Sequence, residues 1–216
     1  MIDLSKIETK WIYPKVDKIV LDPQLDDNKK LKTEWNRPQG IVLHHTAGNG
    51  IEGLLDWFCS TDLSCHFLIG KKKGQIIQMA PVNYICTHAG GNWPLDKPSF
   101  VNVNLSFVGI EIENTGQLTK KNGKYVDWNG KPFIGDPSAV RERHVLDEKY
   151  WEAFTDFQEK AVFDICLWLI ERFDIKIDNI IGHYECVKTG KVDPAGGFSQ
   201  GLMPEVRDYI RELIQM

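Results

Sequence analysis

Ile41-Val42-Leu43-His44-His45-Thr46 begins as an unbroken apolar run and closes on two imidazoles. Such a run reads as a buried strand that delivers a histidine to its end. The device recurs at Ile180-Ile181-Gly182-His183, which runs on through Tyr184-Glu185-Cys186-Val187-Lys188-Thr189-Gly190-Lys191-Val192-Asp193-Pro194. Two imidazoles and a carboxylate can therefore converge from distant parts of the chain. Two histidines and one carboxylate, with the fourth position left to water, form the donor set of a catalytic zinc site and not of a closed structural one.

Three further stretches lie between these two: Ser64-Cys65-His66-Phe67-Leu68-Ile69-Gly70, His88-Ala89-Gly90 and Val108-Gly109-Ile110-Glu111-Ile112-Glu113. In order and spacing, together with Ile41–Gly48 and with Lys191-Val192-Asp193-Pro194, they resemble the zinc-dependent N-acetylmuramoyl-L-alanine amidases. That family also includes phage amidase lysins and peptidoglycan recognition proteins, and the resemblance runs from about residue 40 to about residue 200. It implies an α/β fold in which a mixed central β-sheet is flanked by helices. It implies that His44, His183 and Asp193 hold Zn2+, that Glu111 handles the proton of the attacking water, and that Lys191 assists. The bond it implies is the amide between N-acetylmuramic acid and L-alanine, in peptidoglycan or muropeptides. One branch of the family carries tyrosine immediately before the histidine of a Tyr-His-Phe motif. Cys65 stands there in this chain, so that tyrosine's role is not carried over.

The chemistry of these residues can be stated without the family. Amide hydrolysis needs an activated water, a polarised carbonyl and a proton for the departing amine, and zinc supplies the first two. A carboxylate outside the metal's ligands can supply the third. Glu111 lies in an alternating stretch that reads as a strand, sharing a face with Gly109 and Glu113; the alternative is that Glu111 and Glu113 are the solvated face of an edge strand. Lys191, two residues before Asp193, is placed by the same loop to stabilise a developing oxyanion. Cys186 is a rival soft ligand to Asp193. His45, His66, His88, Asn92 and Trp93 are candidate substrate contacts, with a packing role open for each of the histidines. The segments His88–Pro94 and 116–144, the latter carrying Tyr125, Trp128 and Phe133, read as loops that shape a groove.

A chain of 216 residues with 42% hydrophobic content can bury one sizeable core. The expected organisation is an N-terminal arm over residues 1–39, packed through Trp11, Tyr13 and Trp35, and a catalytic domain over 40–216. Helices are expected near 51–58, 148–172 and 204–214, with a hairpin over 65–79 turned near Lys73-Gly74. A formal charge of −4, without a basic block, speaks against nucleic acid and against an anionic membrane surface. No run approaches a membrane span and the first residues lack the pattern of a signal peptide, so synthesis in a cytoplasm and action on the cell wall after release are expected. Five cysteines without framework spacing read as reduced thiols. A monomeric phage endolysin is the favoured setting. The rivals are a cytosolic amidase that recycles muropeptides and a module that binds peptidoglycan without cutting it.

Overall fold

A computed structural model of the protein describes residues 7–21, 37–95 and 101–216. Its centre is a six-stranded mixed sheet in the order Lys18–Ile19, Ile76–Gln78, Phe67–Ile69, Phe107–Ile112, Gly40–His45, Ile180–Gly182. Phe107–Ile112 runs parallel to both of its neighbours, while Phe67–Ile69 and Ile76–Gln78 form the antiparallel hairpin. The two central six-residue strands are buried along their whole length, which is why Gly40–His45 reads as an apolar run up to its histidines and why Glu111 in Phe107–Ile112 is a buried carboxyl and not part of a solvated edge.

Period-two alternation sends the two faces of this sheet to different tasks. Ile41, Leu43, Phe67 and Ile110 pack against Val162, Ile165 and Leu169 of the helix Asp156–Phe173, and against Val206 and Ile210 of the helix Met203–Gln215. The opposite face presents Val42 and His44 from one strand, and Gly109 and Glu111 from the next. The register sets His44 directly beside Glu111, and Glu111 beside Leu68. The helix Ile51–Ser60 covers the Leu68 end of this second face through Ile51 and Phe58.

Residues 7–21 do more than lie against the domain. Tyr13 is buried in the main core, Trp11 stacks on Phe173 with ring centres 5.5 Å apart, and Lys18–Ile19 adds a parallel strand to the sheet edge. Trp35 lies outside the described residues.

Two expectations are corrected. The helix expected from residue 148 begins at Asp156, and Glu148–Glu152 is a strand. Thr155 caps the helix: its hydroxyl accepts the Gln158 N–H, and the Gln158 side chain accepts the Thr155 N–H in return. The segment 116–144, expected as a loop, supplies three strands of a four-stranded antiparallel sheet in the order Val140–Val145, Glu148–Glu152, Gln117–Lys121, Lys124–Val126. Trp151 fastens this sheet to the molecule. Its fully buried ring packs with Val145 and Ala195, and its indole N–H donates to the Arg143 carbonyl at 2.9 Å. The sheet thereby braces the loop that carries Asp193.

Candidate metal centre and active site

Three strand ends create the site. His44 is the penultimate residue of the strand Gly40–His45, Glu111 is its register partner, and His183 follows the strand Ile180–Gly182 at once. Asp193 arrives from the following loop, whose return is pinned by a hydrogen bond from the Tyr184 N–H to the Asp193 carbonyl. The two Nδ1 atoms of His44 and His183 are 3.0 Å apart. Asp193 Oδ2 is 3.0 Å from the second and 3.2 Å from the first. Among the described residues this is the one group with the composition and spacing to hold a metal ion.

The outer partners of each ring decide what those inner atoms carry. His183 Nε2 lies 2.9 Å from the Ala89 carbonyl, an acceptor only, so Nε2 is the donor there and Nδ1 is the ring nitrogen turned to His44 and Asp193. His88 Nε2 donates to the Phe107 carbonyl at 3.1 Å in the same way. Burial, reinforced by the neighbouring His44 and His66, holds His88 well below the usual histidine range, so it is neutral and its Nδ1 is an acceptor. That Nδ1 lies 3.0 Å from His44 Nε2, which must therefore be the donor and leave His44 Nδ1 a lone pair. Burial pushes His44 down to about 4 against the opposing Asp193 hydrogen bond, so this ring too is neutral. Asp193 feels burial pushing it up, but its contacts with His183 and His44 outweigh that and hold its carboxyl well below the usual range.

Three acceptors for a metal, two inward ring nitrogens and a carboxylate oxygen, thus face one another at hydrogen-bonding separations. A metal ion takes the place of the protons that would otherwise bridge such a set, so the residues fit a metal ion. Bonds of about 2.0–2.2 Å to a tetrahedral zinc separate ligand atoms by about 3.3–3.6 Å, which the side chains reach by opening a few tenths of an ångström. Cys186 stands outside the group, its thiol donating to the His183 carbonyl at 3.3 Å.

Glu111 Oε1 lies 3.9 Å from His44 Nδ1, and the residue is 8% exposed. Burial first, and the Asp193 carboxylate second, push it up to about 8, with Lys191 opposing. It lies at the wall of a cavity of about 320 Å³ that the three acceptors also line, together with Lys191, which is exposed. Glu113, next on the same face, has a different task. It is buried, and its two carboxylate oxygens accept the backbone N–H groups of Gly50 at 2.7 Å and Lys71 at 3.2 Å. It ties down the start of the helix Ile51–Ser60.

The remaining sequence candidates separate. His45 and His88 line the cavity, whereas His66, Asn92 and Trp93 are not in its wall. His88 sits behind His44, its ring filling the space above Gly109, where a Cβ would come within 2.6 Å of it. His66 is a strut that accepts the Gly109 N–H and donates to the Tyr84 carbonyl, each at 2.9 Å. Asn92–Trp93 pairs with Val101–Asn102, and the Trp93 indole donates to Asn179. Sequence reasoning missed Asn104, whose side-chain oxygen accepts the N–H groups of His88, Ala89 and Gly90 and so fixes the loop behind both histidines. No spacing or motif marks it. Trp57 and Gln117, which line the cavity, were also missed.

Comparison with known proteins bears on this arrangement. A family model described as N-acetylmuramoyl-L-alanine amidase matches residues 34–196. N-acetylmuramoyl-L-alanine amidase AmiD of Escherichia coli (strain K12) is 24% identical over 178 residues, which are 79% of this chain and 54% of that protein. The chain thus spans about half the length of that curated relative. The structure of E. coli AmiD in complex with the substrate anhydro-N-acetylmuramic acid-L-Ala-D-gamma-Glu-L-Lys matches with a TM-score of 0.55 at 22% identity, covering 76% of this chain and 55% of that one. A selenomethionine AmpD derivative gives 0.58 at 18% identity, covering 96% and 98%. The endolysin amidase LysCS from Clostridium intestinale URNW gives 0.50 at 18%, covering 93% and 97%. At these identities the solved structures speak to the fold. No helix among the described residues is long and apolar enough to cross a membrane.

Proposed function

Because the chain belongs to the N-acetylmuramoyl-L-alanine amidase family, we propose that it is a zinc-dependent hydrolase of the amide between N-acetylmuramic acid and L-alanine, with His44, His183 and Asp193 as the metal ligands. The observation that carries this reading is the convergence of two imidazole nitrogens and a carboxylate oxygen within 3.0–3.2 Å of one another, beside a buried carboxylate. Zinc in such a donor set supplies Lewis acidity, which activates a water and polarises the scissile carbonyl. Glu111 takes the proton of the attacking water and returns it to the departing amine nitrogen. Burial raises this carboxyl above the ordinary glutamate range and a bound cation would oppose that rise, so its place beside the ligands suits a group that takes up and gives back a proton. Lys191, at the cavity wall, offers its ammonium to the charge that develops on the carbonyl oxygen.

His88 serves this chemistry from behind His44. By accepting the His44 Nε2 proton it fixes the tautomer and the orientation of that ring. His88→Ala is expected to weaken zinc affinity about 10–100-fold, the usual cost of removing an outer partner of a metal ligand. Competition against a chelator reads this directly, and an affinity equal to wild type would show that His44 is oriented by something else.

The setting we propose is a lytic enzyme acting on the cell wall, an endolysin or a relative of one, with recycling of soluble muropeptides as the second setting. Incubation with purified sacculi and with soluble muropeptides, followed by mass spectrometry, tests both. Release of stem peptides bearing a new amine on L-alanine, from sacculi at least as fast as from soluble fragments, is the expected result. A new amine elsewhere in the stem would make the centre a peptidase, and binding without release would make the chain a recognition module.

A further inference from the structure

Two of the three proposed ligands lean on one short loop. His44 Nε2 donates to His88 Nδ1 at 3.0 Å and His183 Nε2 donates to the Ala89 carbonyl at 2.9 Å, so two consecutive residues aim both rings. An imidazole free to turn presents its inner nitrogen only part of the time, which is why the outer partner of a ligating histidine governs affinity. Whatever holds residues 88–90 in place therefore acts on both rings together.

That hold comes from Asn104. Its side-chain oxygen accepts the N–H groups of His88 at 3.1 Å, Ala89 at 2.8 Å and Gly90 at 3.3 Å. Three successive backbone N–H groups turned toward one point form a concavity of the kind that takes an anion. Here the chain fills it with its own amide oxygen. Gly90 supplies the bend, at φ +60°.

Asn104 is itself fixed, and so is the rest of the loop. The Asn104 N–H donates to the Asn102 side chain at 3.0 Å, and the Ser106 hydroxyl donates to the Asn102 carbonyl at 3.1 Å. Val103 donates its N–H to the Gly91 carbonyl at 3.0 Å, while the Phe107 carbonyl accepts from His88 Nε2 at 3.1 Å. Gly91 is pressed against Cys186, where a Cβ would come within 2.4 Å of the carbonyl oxygen. Segment 102–107 thus grips the loop and then runs directly into the strand that carries Glu111. Asn104 is partly exposed and stands outside the cavity wall, so its replacement leaves the wall's own side chains in place.

We infer that Asn104 is the positioning residue for both histidine ligands at once, its one side-chain oxygen holding the loop from which His88 and the Ala89 carbonyl set the rings of His44 and His183. The inference rests on the metal reading above. Asn104→Ala removes the acceptor, as does Asn104→Leu, which keeps the volume and serves if the smaller replacement does not fold. Asn104→Asp keeps the acceptor. Competition against a chelator is expected to show zinc affinity about 10–100-fold weaker in the first two variants and at the wild-type level in Asn104→Asp. Amide exchange at residues 88–90 of the zinc-free protein is expected to quicken about tenfold in the variants that lack the acceptor and to stay slow in Asn104→Asp. Adding His88→Ala to Asn104→Ala is expected to weaken zinc less than His88→Ala does alone, because the ring has already been released. Wild-type affinity in folded Asn104→Ala, an equal loss in Asn104→Asp, or an undiminished His88→Ala effect in the double variant overturns the inference. A wild-type protein that takes up no zinc sinks the metal reading instead, and the exchange rates then decide by themselves whether Asn104 holds the loop.

Discussion

Replacing His183 with alanine is expected to strip the protein of zinc and of all measurable hydrolysis while leaving it folded. Two of the three acceptors would remain, and a catalytic zinc site rests on three protein ligands. The loss must exceed the roughly 10–100-fold that accompanies removal of an outer partner such as His88, because a donor atom itself has gone. The fold should survive because the ring meets the rest of the protein through one hydrogen bond to the Ala89 carbonyl and its contacts within the site, while the neighbouring strand Ile180–Gly182 keeps its pairing with Gly40–His45. Metal analysis after gel filtration, with a thermal melt beside it, separates the two effects. Full zinc content in the folded variant would remove His183 from the centre.

The second large effect is expected at Glu111. Glu111→Gln keeps the size and burial of the side chain and removes its capacity to accept a proton, so turnover should fall by about 10²–10⁴-fold, the range for a general acid–base group. Zinc content should be unchanged, since the glutamate oxygen lies 3.9 Å from His44 Nδ1 and outside the group of three acceptors. Glu113 is no inert control for this experiment, because its carboxylate clamps the N–H groups of Gly50 and Lys71 and its replacement would loosen the helix that carries Trp57. The zinc content of the Glu111 variant is the better internal control. Wild-type turnover in that variant would assign the proton to another group.

The parts of this site legible in the sequence are those that local pattern determines. An apolar run ending in histidine names both a buried strand and the side chain at its tip, so His44 and His183 could be read directly. Glu111 could be placed on a strand face by alternation. What alternation does not contain is register: only the pairing of Gly40–His45 with Phe107–Ile112 shows that Glu111 stands beside His44 and not one residue up or down. The contact of His88 with His44, where the sequence offered His88 as a substrate contact, and the part of Asn104 were illegible for a related reason, since both depend on backbone carbonyls and N–H groups brought close by tertiary structure.

The expected helix from residue 148 failed because Glu-Lys-Tyr-Trp-Glu precedes a true amphipathic segment without a glycine or proline to separate them. Thr155 followed three residues later by Gln158 was the boundary signal. The sheet spanning residues 117–152 was hidden because its strand Gln117–Lys121 buries little beyond Leu118, which leaves no apolar alternation to detect. Its glycine- and proline-rich turns then read as a loop. That sheet both braces the Asp193 loop through Trp151 and presents Trp128, so the least legible part of the chain carries much of what distinguishes its cavity.

The central claim is that His44 Nδ1, His183 Nδ1 and Asp193 Oδ2 meet on one zinc ion. A crystal of the zinc-loaded protein, with diffraction recorded on both sides of the zinc absorption edge, tests it most directly. The account predicts a single anomalous peak about 2.0–2.2 Å from each of those three atoms, with the outer Nε2 atoms still directed at His88 and Ala89. A peak bonded through Nε2 of either histidine, or through Cys186 in place of Asp193, or an absence of any peak among these side chains in protein that carries zinc, would contradict it.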